Sequence, residues 1–311
     1  VNVSRSTTEV QKAVQDFVKA YNDLNSMLTT VSAADPAART QAPLNGDAAV
    51  RTIQTQLRSV LGSSLGSGFN LKTLSEVGIS FQRDGSLALD SSKLSAALNN
   101  NADDVEALFA SSARSADSLV KVAGQTSRTL AGTYALSVTT LATQGTLVGT
   151  AAANTTITAG VNDALSVVLN DVTASVRLSA GTYTAASLAA MVQASINGAS
   201  VFSASGFKVS VTESAGVLTV TSGRYGADSS VAIGGNGALG LLGASPVATD
   251  GVDVAGSIGG IEATGSGQIL TAADGSSAEG LRLEISGGTT GARGDITVGN
   301  GFAARLSALV E

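Results

Sequence analysis

Apolar residues near the start of the chain recur at Val10, Val14, Phe17, Tyr21, Leu24, Leu28 and Val31, alternately four and three positions apart. That spacing predicts a helix from about Thr8 to Val31 that buries a narrow stripe against another helix, with Thr7 or Thr8 as its cap. The segment around Pro36 ends it. A second helix is expected after Asp47, with Val50, Ile53, Leu57 and Val60 or Leu61 on one face, and Gly62, Gly66 and Gly68 terminate it. Val77, Ile79 and Phe81 then alternate, Asp84-Gly85 turns the chain, and Leu87 and Leu89 alternate back. This is a β-hairpin pattern. Asp90 or Ser91 caps a third helix that carries Leu94 and Leu98. The run Asn99-Asn100-Asn101 stops it, and a short helix with Val105, Leu108 and Phe109 follows. The polar stretch from Ala113 to Leu130 reads as a further helix.

The period changes from helical to twofold at Gly132. From there to about Val298 the chain reads as short strands and Gly-rich turns, interrupted by one short helix over Ala185–Ile196. The last residues return to helical spacing, with Phe302, Leu306 and Leu309 on one face. The expected fold class is α+β. A helical, coiled-coil-like domain with a β-hairpin is built from residues 1–131 and 300–311, and a β-rich insertion spans 132–299. The strand-like start and the helix running to the last residue read as cut ends, so the chain is expected to be an internal fragment of a longer protein.

Composition narrows the function classes. The 311 residues include neither Cys nor His, so thiolate or imidazole metal ligation, disulfides and a His-based triad are excluded. The net charge is −6 and the basic residues are scattered without interleaved aromatics, which argues against nucleic acid. No apolar run is long enough to cross a membrane as a helix. With no Trp and few other aromatics, the cores must be packed from small aliphatic side chains.

Three motifs match catalytic or binding patterns by letter only. Gly235-Asn-Gly-Ala-Leu-Gly240 fits the dinucleotide fingerprint, but Gly243 and Pro246 stop any helix after about one turn, too short to hold a pyrophosphate, so a Gly-rich loop is expected. Gly62-Ser-Ser-Leu-Gly66 fits a nucleophile elbow but ends a helix and has no histidine base. Ser118 and Lys121 lie among charged residues, where a lysine stays solvated and protonated. The Asp-Gly pairs at 84–85 and 274–275 read as turns. No catalytic residue, cofactor site or metal site is expected.

The segments VQDFVKAYNDLNSML, PLNGDAAVRTIQTQLR and VGISFQRDGSLALDSSKLSAAL, in this order, resemble the C-terminal part of the bacterial flagellar filament cap family, also called hook-associated protein 2. The likeness resumes at GLRLEISGGTTGARGDITV. Within the β-rich half, residues at about 155–234 resemble the small IN module of flagellin and hook proteins, carried by Val167–Leu169, Thr182–Leu188, Ile196-Asn197 and Leu218–Ser222. In the simplest members that module precedes the AYNDL helix, whereas here it follows.

The resemblance implies a structural protein and no enzyme. It implies a homo-oligomeric ring, secreted and extracellular, at the distal end of the flagellum, which retains flagellin and promotes its folding and insertion for motility. The implied partners are further copies of itself, flagellin, hook–filament junction proteins and an export chaperone. Some members also adhere to host mucin or glycan. The terminal coiled-coil segments of the family are expected to lie outside this fragment. A secreted adhesin or binding module without an assembly role is the alternative. The seam residues Val10, Val14, Phe17, Tyr21, Leu24 and Leu28 have two readings, as an internal bundle core or as an edge packed on neighbouring subunits.

Overall fold

A computed structural model describes residues 7–32, 34–35, 40–41, 44–65 and 69–310. The chain is α+β and divides into two compact units. The first holds residues 1–114, 130–133 and 297–311, the second 115–129 and 134–296.

In chain order the elements open with α1 (Thr7–Ser32), β1 (Ala34–Asp35), β2 (Thr40–Gln41), α2 (Ala48–Gly62), β3 (Ile79–Phe81), β4 (Leu87–Leu89) and α3 (Ser91–Phe109). Strands β5 (Ser112–Ser115), β6 (Val120–Gly124), β7 (Gly132–Thr140), β8 (Gln144–Val148), β9 (Thr156–Ile157), β10 (Ala164–Leu169), β11 (Val172–Arg177) and β12 (Gly181–Thr182) follow. Next come α4 (Ala185–Asn197), α5 (Ser200–Ala204), β13 (Val209–Ser214), β14 (Val217–Tyr225), β15 (Val231–Gly234) and α6 (Ala238–Leu242). The chain closes with β16 (Val247–Thr249), β17 (Ala255–Ile258), β18 (Ile261–Ser266), β19 (Ile269–Thr271), β20 (Arg282–Ile285), β21 (Gly291–Gly299) and α7 (Phe302–Val310).

Short polar side chains start the helices of the first unit. The Asp47 carboxylate accepts from the Ala49 N–H at 2.6 Å, and Asp90 accepts from Ser92 and Lys93 at 3.0 Å each, satisfying donors that a helix start leaves open. The 3-10 turn at Leu74–Val77 is tied by Glu76, which accepts from the Lys72 and Thr73 N–H groups. The expected break at the asparagine run is a kink: α3 continues to Phe109, but Asn101 leaves helical geometry at φ −147° and ψ 53°. The core joins Val14, Val18 and Tyr21 of α1 to Leu57 and Leu61 of α2, Leu94, Leu98 and Leu108 of α3, and Phe302 of α7.

In the second unit, α4 buries Leu188, Ala189, Val192 and Ile196 among residues of a three-stranded sheet, β11-β10-β15, and a four-stranded sheet, β13-β14-β8-β16. An eight-stranded sheet runs β5-β21-β7-β17-β18-β19-β20-β6. Its two edge strands, β5 and β6, are consecutive in the chain and separated only by residues 116–119, so the sheet curls until its edges lie within reach of that loop.

Two expectations are corrected. Residues 113–130 carry strands β5 and β6, not a polar helix. Val120 is buried and Lys121 exposed, a twofold alternation, and the partner of β6 is β20, more than 150 residues away in the sequence. Local pattern carries no trace of such a partner. The β-rich part also holds three helices, not one short one: α5 and α6 are single turns of five residues, too short to leave a helical period in the sequence.

Candidate subunit-contact surface

The α1 stripe is a heptad seam on a helix of ordinary pitch. At about 3.6 residues per turn, a 3.5-residue repeat drifts about 20° per heptad. The series Val10, Phe17, Leu24, Val31 therefore rotates steadily towards one side of the helix. Val14 and Tyr21 are buried, and Val10, Phe17 and Leu28 are half-buried against the core. Leu24 is 39% exposed, and Met27, further round the same side, is 65% exposed. The structure thus places Val14 and Tyr21 fully inside, Val10, Phe17 and Leu28 at the boundary, and Leu24 outside. Phe17 meets Phe109 edge to face, with centroids 5.4 Å apart.

The opposite side of α1 is occupied by Val18, Asn22 and Asn25, which the heptad pattern did not select. Asn22 holds the backbone of Leu87 at both ends: its Nδ2 donates to the Leu87 carbonyl at 2.9 Å, and its Oδ1 accepts from the Leu87 N–H at 2.7 Å. Asn25 Nδ2 donates to the Asp84 carbonyl at 3.5 Å, and the Tyr21 hydroxyl donates to the Gly85 carbonyl at 3.2 Å. Tyr21 also lies edge-on to Phe81 at 6.1 Å. Burial raises the Tyr21 pKa, against the opposing pull of Arg58, so the hydroxyl remains a donor. Gly85 supports the turn at φ +83°, a conformation costly for other residues. The AYNDLN stretch is therefore a clamp on the β3–β4 hairpin. The available signal was Asn at two positions flanking the seam, which a purely apolar reading passes over.

A second polar cluster in the same unit is structural. Asp104 is 3% exposed, pairs with Arg114 and accepts from Asn70 at 2.9 Å, while the Arg114 guanidinium stacks on Phe69 at 5.4 Å. In the second unit Arg293, with a side chain 3% exposed, donates through Nε to Asp117 at 2.5 Å. It also donates through Nη1 to the carbonyls of Gly287 and Thr289, pinning the loop before β21. That ion pair holds the Asp117 carboxyl below its ordinary pKa.

The letter-matched motifs are filled by protein. A Cβ on Gly235 would lie 2.4 Å from the Ala164 carbonyl, and one on Gly237 would lie 2.6 Å from that of Asn162, so these glycines serve close backbone approach. Gly62 ends α2, and Gly66 lies outside the described residues. Lys121 is exposed on β6. Among the described residues no group of three or more His, Cys, Asp or Glu could hold a metal ion, and no helix is long and apolar enough to cross a membrane.

What these residues build is packing surface and backbone clamps. The family described as flagellar hook-associated protein 2 C-terminus matches residues 1–182, and the chain belongs to that family. Flagellar hook-associated protein 2 of Escherichia coli O157:H7 is 42% identical over 114 residues, 34% of this chain and 24% of that protein. The polar flagellar hook-associated protein 2 of Vibrio parahaemolyticus is 33% identical over 110 residues, 35% of this chain and 16% of that protein. The chain thus matches about a quarter or less of the length of these relatives. Among solved structures, the D2-D3 domains of the Escherichia coli flagellar cap protein are similar at TM-score 0.41 and 21% identity, covering 61% of this chain and 98% of that one. Its D1-D2-D3 domains give TM-score 0.44 and 19% identity, covering 65% and 59%.

Proposed function

We propose that this chain is the body of a protein that caps the distal tip of the bacterial flagellar filament, outside the cell. There it assembles with copies of itself, retains flagellin and promotes its insertion. The observation that carries this reading is the family match over residues 1–182. Hook–filament junction proteins and an export chaperone are the further partners of that role. The outward turn of the α1 seam supports a contact role for its exposed edge, since Leu24 and Met27 are neighbouring apolar side chains that face solvent.

The test has two parts. Light scattering over a concentration series should show self-association that Leu24→Asp with Met27→Asp weakens while the melting temperature holds. The full-length protein should restore filament growth and swimming to a strain lacking its own copy. Normal filaments in that deletion strain would refute the cap role, and unchanged association in the double variant would remove the α1 edge from the contact.

A further inference from the structure

The sequence holds four Asn-Gly pairs, at 45–46, 197–198, 236–237 and 300–301, and three Asp-Gly pairs, at 84–85, 250–251 and 274–275. A glycine leaves its backbone nitrogen unshielded, so that nitrogen can reach the side-chain carbonyl carbon of the preceding residue when both groups are free to move. In six of the seven pairs the fold ties the nitrogen down. The N–H groups of Gly198, Gly237 and Gly301 donate to the carbonyls of Ala194, Ala164 and Ala110 at 2.9, 3.1 and 3.1 Å. Those of Gly85 and Gly251 donate to the carbonyls of Gln82 and Ser229 at 3.0 and 2.8 Å, and that of Gly275 donates to the Glu279 carboxylate at 3.0 Å. The asparagine side chains of the three bonded Asn-Gly pairs are held as well. Asn197 bonds both backbone groups of Val209, Asn236 Oδ1 accepts from the Ala164 N–H at 2.8 Å, and Asn300 Oδ1 accepts from the Ser111 hydroxyl at 3.2 Å.

Asn45-Gly46 is the exception. Both residues are exposed in the turn before α2, and among the described residues neither the Asn45 amide nor the Gly46 N–H has a hydrogen-bond partner. The turn is closed by its outer residues instead: the Asp47 N–H donates to the Leu44 carbonyl at 3.1 Å. Gly46 has φ +78°, as the third residue of a type II turn requires. A Cβ on Gly46 would meet nothing within 4 Å, so the space beside the nitrogen is open.

We infer that Asn45-Gly46 is a self-modification site, at which the side-chain amide becomes a carboxylate through a succinimide, with water as the co-reactant. The Gly46 nitrogen, its proton taken by hydroxide, attacks Asn45 Cγ. The new C–N bond forms and the bond from Cγ to the amide nitrogen breaks. That nitrogen takes a proton from water and leaves as ammonia. Water then opens the ring at either carbonyl, giving aspartate or isoaspartate, with no oxidation or reduction. Either product adds a negative charge close to Asp47, the cap of α2. Isoaspartate also threads the side-chain Cβ into the main chain inside the Leu44–Asp47 turn, which loosens the bond that closes it. The inference does not depend on the cap role, and its test does not read assembly.

The test is incubation of the whole chain in mildly alkaline buffer, followed by peptide mass spectrometry and labelling with an isoaspartyl methyltransferase. In the folded chain the peptide carrying Asn45 should gain its carboxylate at least about tenfold faster than those carrying Asn197, Asn236 or Asn300, a barrier difference of about 1.4 kcal/mol. In urea the four rates should converge. Asn45→Ser removes an amide that bonds nothing, so it should keep the melting temperature and abolish the first acidic species on isoelectric focusing. Equal rates at the four sites in the folded chain, or an acidic species that forms as fast in Asn45→Ser, would overturn the site. A lead for Asn45 that persists undiminished in urea would mean that neighbouring residues select it and not the fold. Aspartate without isoaspartate would rule out the succinimide.

Discussion

At the residue scale, the side chains that matter most are polar ones bonded to distant backbone. Asn22 supplies a donor and an acceptor to Leu87, 65 positions away. Asn22→Ala should cost about 1–3 kcal/mol, because it leaves two partly buried backbone groups without partners. Asn22→Asp keeps the acceptor but loses the donor, so urea melts should place it between the two. Arg293 is the counterpart in the second unit. Arg293→Ala should destabilise that unit by about 1–3 kcal/mol, because it leaves the Gly287 and Thr289 carbonyls and the partly exposed Asp117 without their donor. The pH dependence follows from the same bonds. Asp117 is held below its ordinary pKa by the Arg293 bond, Glu279 by Arg128, and Glu76 by backbone N–H groups. A carboxylate with a depressed folded pKa contributes stability in full above its unfolded pKa and loses it as pH falls through the folded value. The melting temperature should therefore be flat near neutrality and fall on acidification below pH ~4. Asp117→Asn should flatten part of that fall, and a fall that begins near pH 6 would contradict the assignment.

At the element scale, α1 separates two kinds of seam position. Phe17 packs against Phe109 and the core, so Phe17→Asp should cost at least about 2 kcal/mol by placing a charge where it loses water. Leu24→Asp belongs to the same heptad series but faces solvent, so its effect on the melt should stay within about 0.5 kcal/mol. Equal destabilisation by the two would show the seam to be buried along its whole length, as in a coiled coil. The 3–4 spacing of apolar residues, the Asp-Gly turn and the caps Asp47 and Asp90 were all readable, because each acts on neighbours a few residues away. Strands β5 and β6 were not readable. Their residues are polar enough for a helix, and their conformation is imposed by β21 and β20, far along the chain.

At the scale of the whole molecule, two units with separate cores should unfold in two calorimetric transitions. Leu188→Ala, at a fully buried position of α4, should lower one of them by about 2–5 kcal/mol, and Leu94→Ala of α3 should lower the other. A single transition shifted equally by both substitutions would mean that the units melt together.

The sequence by itself determined the α+β class, the seam helix, the hairpin and the family likeness, since periodicity, turn chemistry and ordered motifs are local properties of the chain. Only the tertiary structure decided which side of α1 is buried, because helical pitch turns a fixed seam gradually away from its core. It alone decided that Asn22 and Arg293 are clamps, because their partners are backbone groups that no side-chain pattern announces.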